Sequence, residues 1–366
     1  MRSLISRREL IAWSLGGAAC LAGGSRMRAD VPWLSQTQQP PAAPPHPSLR
    51  LPPLLVDKEG NSISSVAKWN LRRDELLAWW RKFIGQIPLR RDNPPAFQVL
   101  DEEKVGSVLR QHLRYEVEPG ETTEAYLLKP LELKRRAPGI LAFHSTVPYS
   151  ILQPAGLAGP PQKHFGLTFA QAGYVTLCPR NYLWPENDHI DTAATVERFH
   201  RRHPECTGMA KMLWDAMRAV DLLAGLPEVD NSRIGALGHS LGAKEVLYLS
   251  AFDERIRVTV SSEGGIGTKF SNWDAPWYLG DAVKQSQFDH EHHELLALSA
   301  PRAFLLIGGD SSDGDASWPF VESALDVYRL FGGTPKLGLF NHKQGHSVPP
   351  EAAERIDEWF REYLPT

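Results

Sequence analysis

The chain is poor in cysteine. Three occur in 366 residues, and one of them, Cys20, lies in the N-terminal segment, so no disulfide framework can organise the fold. Cys178 and Cys206 remain. They read either as one pair formed in an oxidising compartment or as two separate buried thiols. Charge of a single sign is lacking too. Forty basic residues stand against 43 acidic ones, which leaves no electrostatic case for a nucleic-acid partner. There is no internal repeat. With 42% hydrophobic and 23% charged residues, the composition is that of a globular chain long enough for one large core or two domains.

The N-terminus departs from this average. Arg7 and Arg8 precede an apolar stretch, Leu10 to Ala22, followed by small residues. That is the layout of an export signal, and the paired arginines resemble a bacterial twin-arginine signal. The apolar stretch is short and glycine-rich for a membrane span. The expected signal is 1–29, with cleavage after Gly24 or Ala29, and no stable membrane insertion is expected afterwards. "GAAC" leaves lipidation at Cys20 as a lesser option. Residues 30–56 are proline-rich and aperiodic and read as a linker.

From residue 57 the chain reads as one α/β domain with a mostly parallel sheet. "NLRRDELLAWWRKFIGQIP" has helical spacing, with Leu71, Leu76, Leu77, Trp80 and Phe83 on one side and Pro88 ending it. "SVLRQHLRYEVE" and "EAYLLKP" alternate like antiparallel strands. "GILAFHS" is continuously apolar, as a buried parallel strand would be. Strand and amphipathic helix then alternate to the C-terminus, the pattern of a sheet covered by helices on both faces.

In such sheets ligands sit beyond the carboxyl ends of the strands. "RIGALGHSLGAKE" delivers Gly238-His239-Ser240-Leu241-Gly242 there, between a strand and a helix. A G-x-S-x-G in that setting is a tight turn that holds the Ser240 hydroxyl above the sheet as a nucleophile. Serine needs a base. His346, past the last strand and before the last helix, is preferred to His342, which belongs to the strand end. The amides of Leu241 and of Ser145, or its neighbour Thr146, are the expected oxyanion donors.

These residues resemble the α/β-hydrolases, in particular the branch holding dienelactone hydrolases, acetyl xylan esterases and glucuronoyl esterases. "GHSLGAKEVLYLSAFDERIRVTVSSEGGIG" is especially similar to the glucuronoyl esterases, which carry a G-C-S-R-x-G-K-G-A elbow followed by "AFD-R" and "ESG-GG". The resemblance implies hydrolysis of carboxylic esters on carbohydrates, small or polymeric. Leu241 replaces the arginine that follows the nucleophile in glucuronoyl esterases, where it aids the oxyanion hole and reads the uronate. A serine peptidase, an acyltransferase or a non-catalytic binding relative are the alternatives.

Two places can supply the carboxylate that orients His346. "IGGDSSDGDASW" offers Asp310, Asp313 and Asp315. Counting back from the helix that closes at Phe331 selects Asp313, with Asp310 at the strand end and Asp315 starting the helix. Glu263, at the end of the preceding strand, holds the position of a glutamate in the glucuronoyl esterase motif. Asp313 is preferred, and Glu263 has a comparable claim. Trp184, Trp273 and Trp277 are candidates for stacking on sugar, the last two equally so for packing an insert onto the sheet. Lys244 reads as structural or as a carboxylate partner. "DHEHHE" (289–294) lacks H-E-x-x-H spacing and reads as a helix start. No metal and no cofactor are expected.

Overall fold

The structure, a computed structural model, describes residues 31–42, 51–185 and 190–366. The expected signal, Cys20 and residues 30 and 43–50 of the expected linker lie outside the described residues. The elements in chain order are α1 (Val66–Ile84), β1 (Phe97–Val105), β2 (Val108–Glu118), β3 (Glu121–Pro130), β4 (Ala137–Phe143), α2 (Phe165–Gln171), β5 (Val175–Pro179), α3 (Thr192–Arg202) and α4 (Gly208–Gly225). Then come β6 (Val229–His239), α5 (Leu241–Phe252), β7 (Ile256–Ser262), α6 (His293–Leu298), β8 (Ala303–Gly308), α7 (Trp318–Leu330), β9 (Leu337–Asn341) and α8 (Pro350–Tyr363).

All nine described strands form one sheet in the order β1-β2-β3-β5-β4-β6-β7-β8-β9. The pairs β1–β2, β2–β3 and β3–β5 are antiparallel, and every pair from β5 to β9 is parallel. This is the expected division. The alternating early strands make the antiparallel meander, and the wholly buried β4, β5 and β8 lie inside the parallel part. β1 was not legible as a strand because its side chains are almost all exposed and carry no apolar face to signal it.

Two apolar layers flank the sheet. One holds residues of α1, α4, α5, α6 and α7, and the other those of α2 and α8. α1 buries Trp69, Leu76, Leu77, Trp80 and Ile84, while Leu71 is 69% exposed. The expected face holds at Leu76, Leu77 and Trp80, with Phe83 half-buried against the same layer, and fails at Leu71. At about 100° per residue, Leu71 and Trp80 point to opposite sides. The helix stops at Gly85, with φ 84°, before Pro88 is reached.

Part of the expected linker belongs to the domain instead. Val31, Trp33 and Leu34 join the α8 layer. The Trp33 indole donates to Glu358 Oε2 at 2.5 Å, and Gln38 Nε2 donates to the carbonyls of Pro335 and Leu337 at 2.6 and 2.8 Å. Leu54 is buried against the opposite layer. Cys178 and Cys206 are both free and buried. Among the described residues no helix is long and apolar enough to cross a membrane.

Candidate active site

Strand register brings the site together. Phe143 pairs with Gly238, His239 with Ser262, Ser262 with Ile307, and Gly308 with Asn341. The carboxyl ends of five neighbouring strands are thus level, and the loops leaving them meet. Strand order reverses at β4, the switch point at which such sheets bind ligands.

Ser240 joins β6 to α5 with φ 62° and ψ −115°, a conformation that costs a non-glycine residue about 1–3 kcal/mol. The flanking glycines make the turn possible. A Cβ on Gly238 would sit 2.2 Å from the carbonyl carbon of Gly242, and one on Gly242 would sit 2.7 Å from Phe143. The Ser240 amide donates to the Ser262 carbonyl at 2.8 Å, which ties the elbow to β7. Leu241 heads α5, where first-turn amides have no partner inside the helix.

His346 stands on the loop between β9 and α8, and its Nδ1 lies 3.1 Å from Glu263 Oε2. Its ring is 4.7 Å from that of His239, the neighbour of Ser240. Burial holds the His239 imidazole well below its usual pKa, so this close ring is neutral and does not oppose charge on His346. His342, the local rival, is buried under the loop, where its Nδ1 accepts from the Gln344 amide at 3.1 Å.

The expected preference for Asp313 as the orienting acid is overturned by this geometry. Asp313 is 2% exposed. Its carboxylate accepts from the Gly265 and Ile266 amides at 2.7 Å each and from Ser317 Oγ at 2.8 Å, and it makes no hydrogen bond or ion pair with His346. Burial pushes its carboxyl upward, and the amides of Ile266 and Gly265 pull against that. Glu263 is 1% exposed and has φ 57°. Its Oε2 accepts from the Ser312 amide at 2.8 Å, and its Oε1 from the Gly309 amide. Asp313 thus shapes the turn after Glu263, and Glu263 reaches the histidine. Asp310 and Asp315 both accept from Asn341 Nδ2 at 2.7 Å, and Asp315 also pairs with Lys343 at 2.9 Å.

The expected oxyanion donor Ser145 needs correction as well. Its amide donates to Gln153 Oε1 at 2.9 Å. The next amide, that of the exposed Thr146, enters no hydrogen bond among the described residues.

The aromatic candidates separate. Trp273 is fully buried; its indole donates to the Gly265 carbonyl at 2.6 Å, and Lys244 Nζ lies 4.2 Å from its ring. No face is left for a sugar. Lys244 also donates to the Gly264 carbonyl, and burial lowers its amino group to about 7; it is a structural brace for the turn after Glu263. Trp277 is half-buried, with its backbone packed against Gly208. Trp184 is 2% exposed, and its indole donates to the Val147 carbonyl at 3.0 Å. It contributes to a cavity of 380 Å³ lined by Arg114, Glu124, Arg180 and Tyr182 among others. The histidines of "DHEHHE" engage separate partners: His290 meets Glu294, His292 meets Tyr248 and the Ile266 carbonyl, and His293 meets the Pro52 carbonyl.

A nucleophile elbow at the end of a parallel strand, a histidine before the last helix and a carboxylate from the strand beside the elbow are the architecture of an α/β-hydrolase. Residues 124–287 match the dienelactone hydrolase family, a span that includes Ser240 and Glu263. The chain is similar to a carbohydrate esterase of an unknown prokaryotic organism, 21% identical over 344 residues that cover 78% of this chain and 79% of that protein. It is similar to a 4-O-methyl-glucuronoyl methylesterase of Phanerochaete carnosa, 23% identical over 72% of this chain and 67% of that one. In structure it resembles a glucuronoyl esterase from Solibacter usitatus with a TM-score of 0.68 at 20% identity, over 87% of this chain and 98% of that one.

Proposed function

We propose that this is an exported serine hydrolase that cleaves carboxylic esters on acylated carbohydrate. The observation that carries the reading is the Glu263–His346 pair at 3.1 Å beside the strained Ser240 elbow. His346 Nε2 removes the Ser240 proton as Oγ attacks the ester carbonyl, while Glu263 holds Nδ1–H and stabilises the imidazolium. The Leu241 and Thr146 amides receive the oxyanion. His346 then returns the proton to the departing alcohol. It next activates a water, which releases the acid and restores Ser240. The names of the similar proteins support the carbohydrate part. Leu241, in place of the arginine of the glucuronoyl esterase motif, and the expected twin-arginine signal support, respectively, an acyl group other than glucuronoyl, such as acetyl, and an exported location.

Uronate esters are the second reading, supported by the names of the similar methylesterase and glucuronoyl esterase. Turnover of p-nitrophenyl acetate tests the activity, with Ser240→Ala as control; an inactive wild type, or an equally active variant, refutes it. Acetylated xylan against methyl glucuronate esters then separates the two readings.

A further inference from the structure

The loop that follows β4 is held from three sides by buried side chains. His144, 0% exposed, places Nδ1 2.8 Å from the Ser145 carbonyl. Gln153 Oε1 accepts from the Ser145 amide at 2.9 Å, and the Trp184 indole donates to the Val147 carbonyl at 3.0 Å. Of the amides that follow Ser145 on this loop, those of Thr146 and Val147 are left without a partner among the described residues, and Thr146 stands nearer the carboxyl end of β4. A loop pinned at the Ser145 amide and at the Ser145 and Val147 carbonyls holds the Thr146 donor in a fixed direction, as an oxyanion site requires.

The anchors continue inward. The Asn181 amide donates to His144 Nε2 at 3.1 Å. His144 therefore carries its proton on Nδ1 and donates to the Ser145 carbonyl. Asn181 Oδ1 accepts from the Leu183 amide at 3.0 Å, and Asn181 Nδ2 donates to Glu245 Oε1 at 2.8 Å. Glu245 is 4% exposed and lies on α5, one turn beyond Ser240. Its Oε2 is buried without a partner. Burial raises its carboxyl to about 8 and lowers the His144 imidazole to about 4, so both are neutral at pH 7. An uncharged chain of hydrogen bonds thus runs from the helix that carries the nucleophile to the loop that faces it.

We propose that Glu245, Asn181 and His144, with Gln153 and Trp184, are positioning residues that fix the Thr146 amide relative to Ser240 as the second oxyanion donor. This rests on the esterase reading. Trp184 then serves the site from behind the loop instead of stacking on sugar. Misplacing a preorganised donor is read in the chemical step and leaves substrate affinity little changed.

The test compares His144→Phe, Glu245→Leu and Glu245→Gln with the wild type in p-nitrophenyl acetate turnover, inhibition by phenylboronic acid and thermal unfolding. The boronate adduct on Ser240 places a tetrahedral anion in the oxyanion site. Expected are kcat values about 10–100-fold lower for His144→Phe and Glu245→Leu, with KM within threefold and boronate inhibition weakened in parallel. Glu245→Gln keeps an oxygen for Asn181 and stays within threefold of wild type. An active wild type with kcat unchanged in folded His144→Phe and Glu245→Leu overturns the proposal, as does Glu245→Gln falling as far as Glu245→Leu. Should those variants not fold, Gln153→Met at the other anchor decides by the same criteria. An inactive wild type refutes the esterase reading instead.

Discussion

Replacing Glu263 and Asp313 one at a time tests the acid directly. Glu263 accepts from three donors, the Gly309 and Ser312 amides and His346 Nδ1. Glutamine offers one oxygen and one NH2 group. If the NH2 takes the Oε2 position, it faces His346 Nδ1 as a donor and forces that nitrogen to accept. The ring then carries its proton on Nε2 and cannot take one from Ser240. A wrong tautomer of this kind lowers kcat about 10⁴-fold in triad hydrolases. Asp313→Asn fails differently. Gly265 N, Ile266 N and Ser317 Oγ all donate to Asp313, and an asparagine cannot accept all three with its single oxygen. Leaving such a donor unmatched costs about 1–3 kcal/mol of stability, while kcat for p-nitrophenyl acetate stays within tenfold. Urea unfolding and steady-state kinetics on both variants separate the effects. A 10³-fold loss of kcat in a stable Asp313→Asn, beside a nearly intact Glu263→Gln, would refute the assignment.

Gly238→Ala drives a Cβ to 2.2 Å from backbone that cannot yield, so the expected outcome is a marked loss of soluble, folded protein in an expression and thermal-unfolding comparison. Trp273→Ala removes a fully buried indole and is expected to cost about 3–5 kcal/mol in urea unfolding while KM for acetylated xylan moves less than threefold; a raised KM at unchanged stability would restore a sugar-stacking role. His292 is buried, its imidazole lowered to about 3 by burial, so between that pH and the ordinary 6.5 the unfolded chain binds the proton and the folded one does not. Its presence therefore makes stability fall as pH drops from 6.5, and His292→Phe is expected to reduce the loss between pH 7 and pH 4 by roughly 1–3 kcal/mol, read as the pH dependence of the urea midpoint. An equal loss in the variant would show that His292 is protonated in the fold.

The alternation of strand and helix from β6 onward, the parallel part of the sheet and the positions of Ser240 and His346 were legible in the chain. Each of these is signalled by short-range features: a strand, two glycines and a helix around Ser240, or a loop before the last helix for His346. Leu71 was misplaced on the buried face of α1 because it was grouped by hydrophobicity with residues on the opposite side of the helix. The ordered stretch at 31–42 reads as linker because prolines and glutamines surround it, and only contact with α8 and β9 shows that Trp33 and Gln38 are anchored.

The sequence by itself determined that a serine, a histidine and a choice of carboxylates would meet at one edge of a doubly covered sheet. Tertiary structure decided which carboxylate reaches His346 and that the Ser145 amide is taken by Gln153. Asp313 and Glu263 are both buried acids beside glycine-rich turns. They differ in which backbone N–H groups remain unpaired once β7 and β8 have come into register. The Gly265 and Ile266 amides fall to Asp313, those of Gly309 and Ser312 to Glu263, and the remaining reach of Glu263 falls to His346. Ser145 and Thr146 are adjacent in the chain, yet Gln153 takes the first amide and leaves the second. Hydrogen-bond partners at the ends of paired strands depend on residues that are distant in sequence, so no local motif encodes them.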